Sequence, residues 1–349
     1  MPLLAFASVY LLPAIAAVAL TTGGPLLWAL PVIVFVLVPL AELFLPGNHA
    51  NAPAETEAAR RANPVFDALL LLAVPVQVGL VLALGWRAES LSAVELAGAV
   101  ATVGTTCGAI AINVAHELGH RARKLHQRAA KILLVTTLYH HFFVEHNRGH
   151  HARVATPEDP ASARLGEGLY TFWVRSVVGS WRSAWRLEAD RLARGGRGAF
   201  TWDNEVLRGA AAEAGVLTGF YLAFGMVGAA AFAGAALVGI LLLETVNYVE
   251  HYGLSRAQLA DGRFERVRPA HSWTSDRPIS RALLFELTRH ADHHANPGRP
   301  YPALRHFDDA PELPAGYAGM VLLAFFPPLF RAVMHRHLAG ERVRLAPAV

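Results

Sequence analysis

Several stretches of this chain run for about 18 residues or more with scarcely a charge, and a helix of that length crosses a hydrocarbon layer. Residues 3–20 and 25–45 read as two spans joined by the small turn TTGG, and 64–86 and 91–112 as two more joined by RAES. A soluble protein with an oversized core is the competing explanation. Charge argues against it: only 17% of residues are charged, where soluble domains average roughly 25%. The shortage is also local, since the first 113 residues hold few charges while 145–210 hold ten Arg.

Residues 207–249 are harder to read, being too long for one ordinary span, with the glycine-rich FGMVGAAAFAGAALVG at their middle. Two helices, 207–226 and 229–249, just fit the length at ~1.5 Å rise per residue. With that hairpin there are six spans. The turns at 21–24, 87–90 and 225–228 then share one side and carry only Arg87; every other Lys and Arg falls on the opposite, cytoplasmic side. Residues 132–143 are apolar but too short to cross. Residues 169–194 mix Phe172, Trp173, Trp181 and Trp185 with Arg, the pattern of an interfacial amphipathic helix. The apolar segment YAGMVLLAFFPPLFRAVM is interrupted by Pro327–Pro328, and is expected at the interface or packed on the cytoplasmic portion. The expectation is a single domain over 1–349: an all-α membrane protein with six transmembrane helices and a cytoplasmic histidine-rich helical portion, 113–206 plus 250–349.

Cys107 is the only cysteine, which rules out a disulfide within the chain and a Cys-rich iron–sulfur site. The first residues lack a basic leader, so a retained first span is expected rather than a cleaved signal peptide. The pI near 9.4 does not imply nucleic acid, because no basic stretch carries interleaved base-stacking residues.

Nine of the 17 histidines fall in four short stretches: HELGH (His116, His120), EHNRGHH (His146, His150, His151), NYVEHYG (His251) and RHADHH (His290, His293, His294). Imidazoles three or four residues apart share a helical face, and the parity of the spans places all four stretches on one side. Imidazole suits iron, zinc and copper. A structural zinc takes about four ligands, so two metal ions sharing the set is the economical explanation. Glu117, Glu145, Glu250 and Asp292 stand beside these histidines and could orient them as hydrogen-bond acceptors, although neighbouring helical positions diverge by about 100°. A lone histidine beside a membrane is more often interfacial, and HELGH alone also fits a zinc-protease helix; the seven remaining histidines do not. His49, His126, His335 and His337 read as surface residues, and His140, His141, His271 and His306 as neighbours of the site.

The segments NVAHELGHR, EHNRGHHARVATPEDPASAR, NYVEHYGLSR and LTRHADHHANPGRPYPALRHFDDAPELPAGYAGM resemble the integral-membrane non-haem di-iron oxygenases and desaturases, and more narrowly the AlkB-type alkane 1-monooxygenases. The resemblance covers most of 113–325. It implies two iron ions held by His116, His120, His146, His150, His151, His251, His290, His293 and His294, facing the cytoplasm from a bacterial inner membrane. It also implies O2 as co-substrate, a medium-chain alkane drawn from the bilayer, and a primary alcohol as product. Arg121, Ala291 and Pro302 depart from the usual family residues without touching this set. The chain has no cysteine cluster, flavin motif or dinucleotide loop, so the resemblance implies rubredoxin or ferredoxin with its reductase as electron source. The Arg-rich 148–208 is a candidate face for such a partner. The small residues of AGAVATVGTTCGAIAIN would leave room for a substrate channel, though close helix packing is their default role. Rival readings are a fatty-acyl desaturase or an aryl-methyl or fatty-acid hydroxylase of the same superfamily, and a metal transporter, whose ligands would be spread through the membrane depth.

Overall fold

Capping residues set where the long helices begin. Asn63 accepts a hydrogen bond from the Val65 amide ahead of the Pro64 start, Ser92 and Glu95 form a reciprocal capping box, and Asn204 accepts from the amides of Val206 and Leu207. Each satisfies amides that a helix start leaves unpaired. The structure is a computed structural model that describes residues 1–344; the last five residues of the expected cytoplasmic portion, 345–349, lie outside the described residues.

Among the described residues, five helices are long and apolar enough to cross a membrane: α1 (Leu3–Thr22), α2 (Gly24–Phe44), α4 (Pro64–Ser90), α5 (Ala93–Gly119) and α9 (Glu205–His251). Between and after them come α3 (Ala54–Ala62), α6 (Lys124–Val135), α7 (142–153), α8 (Leu169–Arg194), α10 (Pro278–Leu283), α11 (His290–Ala295), α12 (Tyr317–Ala324) and α13 (Pro327–Arg344). Among the described residues the only β pairing is two isolated bridges.

The 47-residue α9 is broken at Gly225, where φ is 67° and ψ is −173°. That conformation is essentially reserved for glycine. Phe220 and Phe232 stack across the break with ring centroids 4.2 Å apart. In a straight helix twelve residues would separate them by about 18 Å, so the two limbs fold back on each other. The turns meet at one end of the bundle: the Gly24 amide donates to Glu95 (3.0 Å), and a Cβ on Gly225 would fall 2.7 Å from Glu89.

The helix that holds the expected fourth span, 91–112, runs on through a π-helical stretch, Cys107–Ile112, to Gly119. HELGH is therefore the end of a long helix rather than a segment beyond it. The apolar run near the C-terminus divides into α12 and α13 at Pro327, and its Tyr317, Met320, Phe330 and Met334 are buried in a cluster with Tyr248 and Tyr252 at the end of α9. Residues 169–194 form one helix, α8, that buries Leu169, Phe172, Ser176, Ser180, Ala184, Glu188 and Leu192. That spacing of three or four residues is a single helical stripe.

Candidate metal centre

Four helix ends deliver the nine clustered histidines. α5 contributes His116 and His120, and α9 ends on His251. In α7 the turn His146–His150 is π-helical, and the wider turn brings residues five apart onto one line. His146 Nε2 thus meets His151 Nε2 at 2.9 Å, while His150 points to a different set of partners. The short α11 adds His290, His293 and His294, all buried.

The histidines converge in two groups. His116, His120, His146, His151 and His293 present ring nitrogens within 4.8 Å of one another, as do His150, His251, His290 and His294. α7 and α11 each serve both groups, so the two are locked together. Within the first, His120 and His146 Nε2 are 3.1 Å apart and His293 and His151 Nε2 3.2 Å; in the second, His150 and His294 Nε2 are 3.2 Å apart. Imidazoles bound to one ion at ~2.0–2.1 Å hold their nitrogens roughly 3.0–3.4 Å apart, which fits. Both ring nitrogens of His116 and His251 are buried without a hydrogen-bond partner among the described residues. Buried polar atoms are seldom left so, and a cation held by the group would take up one nitrogen of each ring.

Protonation favours the same use. Burial, and then the neighbouring imidazoles, hold His146, His293 and His294 well below the ordinary histidine value, and burial brings His120 down to about 4. These rings are neutral at pH 7 and keep a lone pair for a metal. His150 differs: burial pushes it down as well, but the Asp159 carboxylate raises it overall.

That carboxylate was not marked by the sequence reading. Asp159 is buried, takes a hydrogen bond from Ser162 Oγ at 2.6 Å and lies 2.9 Å from His150 Nδ1. It orients one ring of the second group, with Nε2 left to face His294. Its only sequence signal was an acid inside ATPEDP, nine residues after His150. Of the four acids expected to orient histidines, one touches a ring: Glu250 Oε2 is 3.1 Å from His290 Nε2. Glu117 accepts from Arg121 and the Tyr301 amide, Glu145 from Arg153 and Ser183, and Asp292 from Arg299, Asn296 and the Arg305 amide. These three brace the scaffold. Their neighbours in sequence are the ligating type, but the 100° step between adjacent helical residues turns them away.

The histidines set aside as neighbours stay outside both groups. His140 lies 3.4 Å from Glu205, His141 packs on Tyr139, and His271 lies 3.3 Å from Glu265. His126, expected at the surface, is buried beside Asp67. His49 and His306 approach Asp276 in a third group, but their rings stack 4.5 Å apart and only 9° from parallel. No ion can lie in both ring planes at once, and each imidazole is paired instead with a carboxylate, Glu312 and Asp276 respectively.

An apolar cavity of about 120 Å³ opens onto the histidines. Thr105, Gly108, Ala109, Asn113 and His116 line it as one stripe of α5, opposite Leu242, Leu243 and Val246 of α9. The stripe spans eleven residues, or about 16 Å. His116, His146 and His290 close one end, and Leu12, Val34 and Phe35 lie among the other lining residues. Gly104, by contrast, serves packing: a Cβ there would fall 2.5 Å from Val238.

Residues 92–324 match the fatty acid desaturase family. The chain is 44% identical to alkane 1-monooxygenase 2 of Pseudomonas aeruginosa over 91% of its own length and 86% of that protein's. It is 43% identical to alkane 1-monooxygenase 1 of the same organism (93% and 87% covered) and 39% identical to the alkane 1-monooxygenase of Acinetobacter baylyi (88% and 76% covered).

Proposed function

The chain belongs to the fatty acid desaturase family and, within it, to the alkane 1-monooxygenases, and from that premise we propose that it uses O2 to hydroxylate the terminal carbon of medium-chain n-alkanes at two iron ions. The observation that carries this reading is one juxtaposition: two groups of converging histidines at the end of a narrow apolar cavity. In this reading His116, His120, His146, His151 and His293 hold one ion, and His150, His251, His290 and His294 the other. Bound iron supplies the redox activation of O2 that an unactivated C–H bond demands, since such a bond offers no acid–base handle.

The protein's own part is positioning and exclusion. The α5 stripe from Thr105 to His116 admits a chain end-on, with its last carbon toward His116 and His146. Leucine and valine walls keep water from the reacting end. Asp159 fixes the proton on His150 Nδ1, leaving Nε2 as the ligand atom.

The wider assignment is a multi-pass protein of the bacterial inner membrane with six crossings, α9 counting as two, and the histidines facing the cytoplasm. The three turns that gather at the opposite end, with Arg87 as their only basic residue, support it. Electrons then come from a cytoplasmic rubredoxin or ferredoxin and its reductase. A concave face lined by Arg153, Arg164, Arg175, Arg182 and Arg186 has Asp159 among its lining residues. An acidic donor docked there would stand one carboxylate and one imidazole from the centre.

Membranes containing this protein, iron and a reduced rubredoxin system, given octane under labelled O2, are expected to yield labelled 1-octanol. His146→Ala and His293→Ala are expected to abolish it. An iron-loaded, reducible preparation that makes no alcohol from several chain lengths, but gives alkene or benzylic alcohol from the matching substrates, would assign it to a sister activity.

A further inference from the structure

Away from the histidines, a second concavity runs between α4, α6 and the first limb of α9. Its floor and walls are apolar, formed by Val81, Ile132, Val135, Val216 and Phe220 among others, and it encloses about 590 Å³. It shares no lining residue with the cavity at the metal centre. Lys131 and Arg208 stand among its lining residues. Arg208 also lines an adjoining polar pocket of about 460 Å³ that contains Arg148, Arg191 and Arg197. The two pockets meet at Arg208, the lining residue they share, as a groove that is greasy on one side and basic on the other.

Charge and depth both point to the occupant. Five cations line the joined groove against three carboxylates, Glu188, Asp203 and Glu205. Those carboxylates are already shared: Glu205 pairs with both Lys131 and Arg208, and Glu188 with both Arg148 and Arg191. Asp203 pairs with Arg197, so each cation has a carboxylate partner and the lining as a whole carries a net charge of +2. The loop that carries Asp203 also presents Phe200 and Trp202, 82% and 67% exposed, and the Arg208 guanidinium donates to the Trp202 carbonyl at 3.1 Å. Exposed aromatics of this kind settle at headgroup depth, which puts the basic half of the groove at the lipid phosphates and the apolar half among the acyl chains.

We propose that this groove is a binding site for an anionic phospholipid, with an acyl chain between α4, α6 and α9 and the phosphate at Lys131 and Arg208. A zwitterionic lipid would bring its ammonium group into the arginine pocket and is disfavoured there, whereas a glycerol headgroup adds no positive charge. The site rests on the reading that α4 and α9 cross the membrane, which side-specific labelling tests separately.

The full-length protein is placed in nanodiscs of phosphatidylcholine alone or mixed with phosphatidylglycerol. Its thermal midpoint and its retention of spin-labelled phosphatidylglycerol are then recorded. Phosphatidylglycerol is expected to raise the midpoint and to be retained. Both effects should be lost in Lys131→Gln/Arg208→Gln, and in Val216→Trp, which fills the apolar half while leaving every charge in place. Equal midpoints in the two lipids, or retention that survives Val216→Trp, would overturn the proposal. So would a protein that purifies as a lipid-free dimer whose contact is broken by Val216→Trp, because the groove would then belong to a second copy.

Discussion

At the scale of single residues, spacing in the sequence carried the histidines well and the acids poorly. An imidazole repeated at three, four or five positions has few uses other than a shared ion, so His146, His150 and His151 announce themselves. A carboxylate does not, since it pairs as readily with arginine, and Glu117, Glu145 and Asp292 do so. Asp159 reaches His150 only because the turn after α7 folds back, with the Asp159 amide bonded to the Thr156 carbonyl, and no periodicity encodes that return. Its role is testable. Asp159→Asn keeps the shape but removes the charge that holds the His150 proton, and changes to such outer partners typically cost about 10–100-fold in metal affinity or activity. Iron per chain and turnover should both fall by that order, with the midpoint of unfolding little changed. Full iron content together with full turnover would assign Asp159 to the loop alone.

The elements were legible wherever apolar length or a glycine set them. The expected break at 225–228 is realised at Gly225, because only a glycine takes that backbone conformation without strain. The π-helical stretches 33–37, 107–112 and 146–150 were invisible to a periodicity argument that assumes 3.6 residues per turn. Two of the three bear on the centre: one precedes His116 on α5 and the other contains His146. Close approach of α5 and α9 holds the frame, because a Cβ on Gly239 would lie 2.5 Å from the Cys107 Cβ and 3.1 Å from the Gly108 amide nitrogen. Gly239→Ala should therefore destabilise by about 1–3 kcal/mol, the usual cost of overpacking. Cys107→Gly in the same chain should return part of that loss by removing the nearest obstacle. Since α5 and α9 deliver His116, His120 and His251, iron content should follow stability across the series. A Gly239→Ala protein as stable as the parent would mean that the two helices are free to separate.

At the scale of the whole molecule, every histidine of the centre is at one end of the long helices, and the turns 23–24, 88–90 and 225 are at the other. This is the arrangement that an even number of crossings produces, and charge patterning in the sequence leads to the same parity independently. Distance decides the remaining question, which is whether the limbs of α9 are each long enough to cross. The first has 20 residues before Gly225 and the second 26 after it, about 30 and 39 Å of helix against a hydrocarbon layer of about 30 Å. Cys107 is the only cysteine and is buried, so single introduced thiols can be read against a silent background. In right-side-out spheroplasts an impermeant maleimide should label Ser90→Cys and Met226→Cys, and should label Arg194→Cys only after the membrane is opened. Met226 is 68% exposed, which makes it a sensitive reporter of where α9 turns. If Met226→Cys behaved like Arg194→Cys, the hairpin would turn back before reaching the far side. The histidines of α5 and α9 would still meet, but the count would fall to four crossings, with the basic residues on the same side as before.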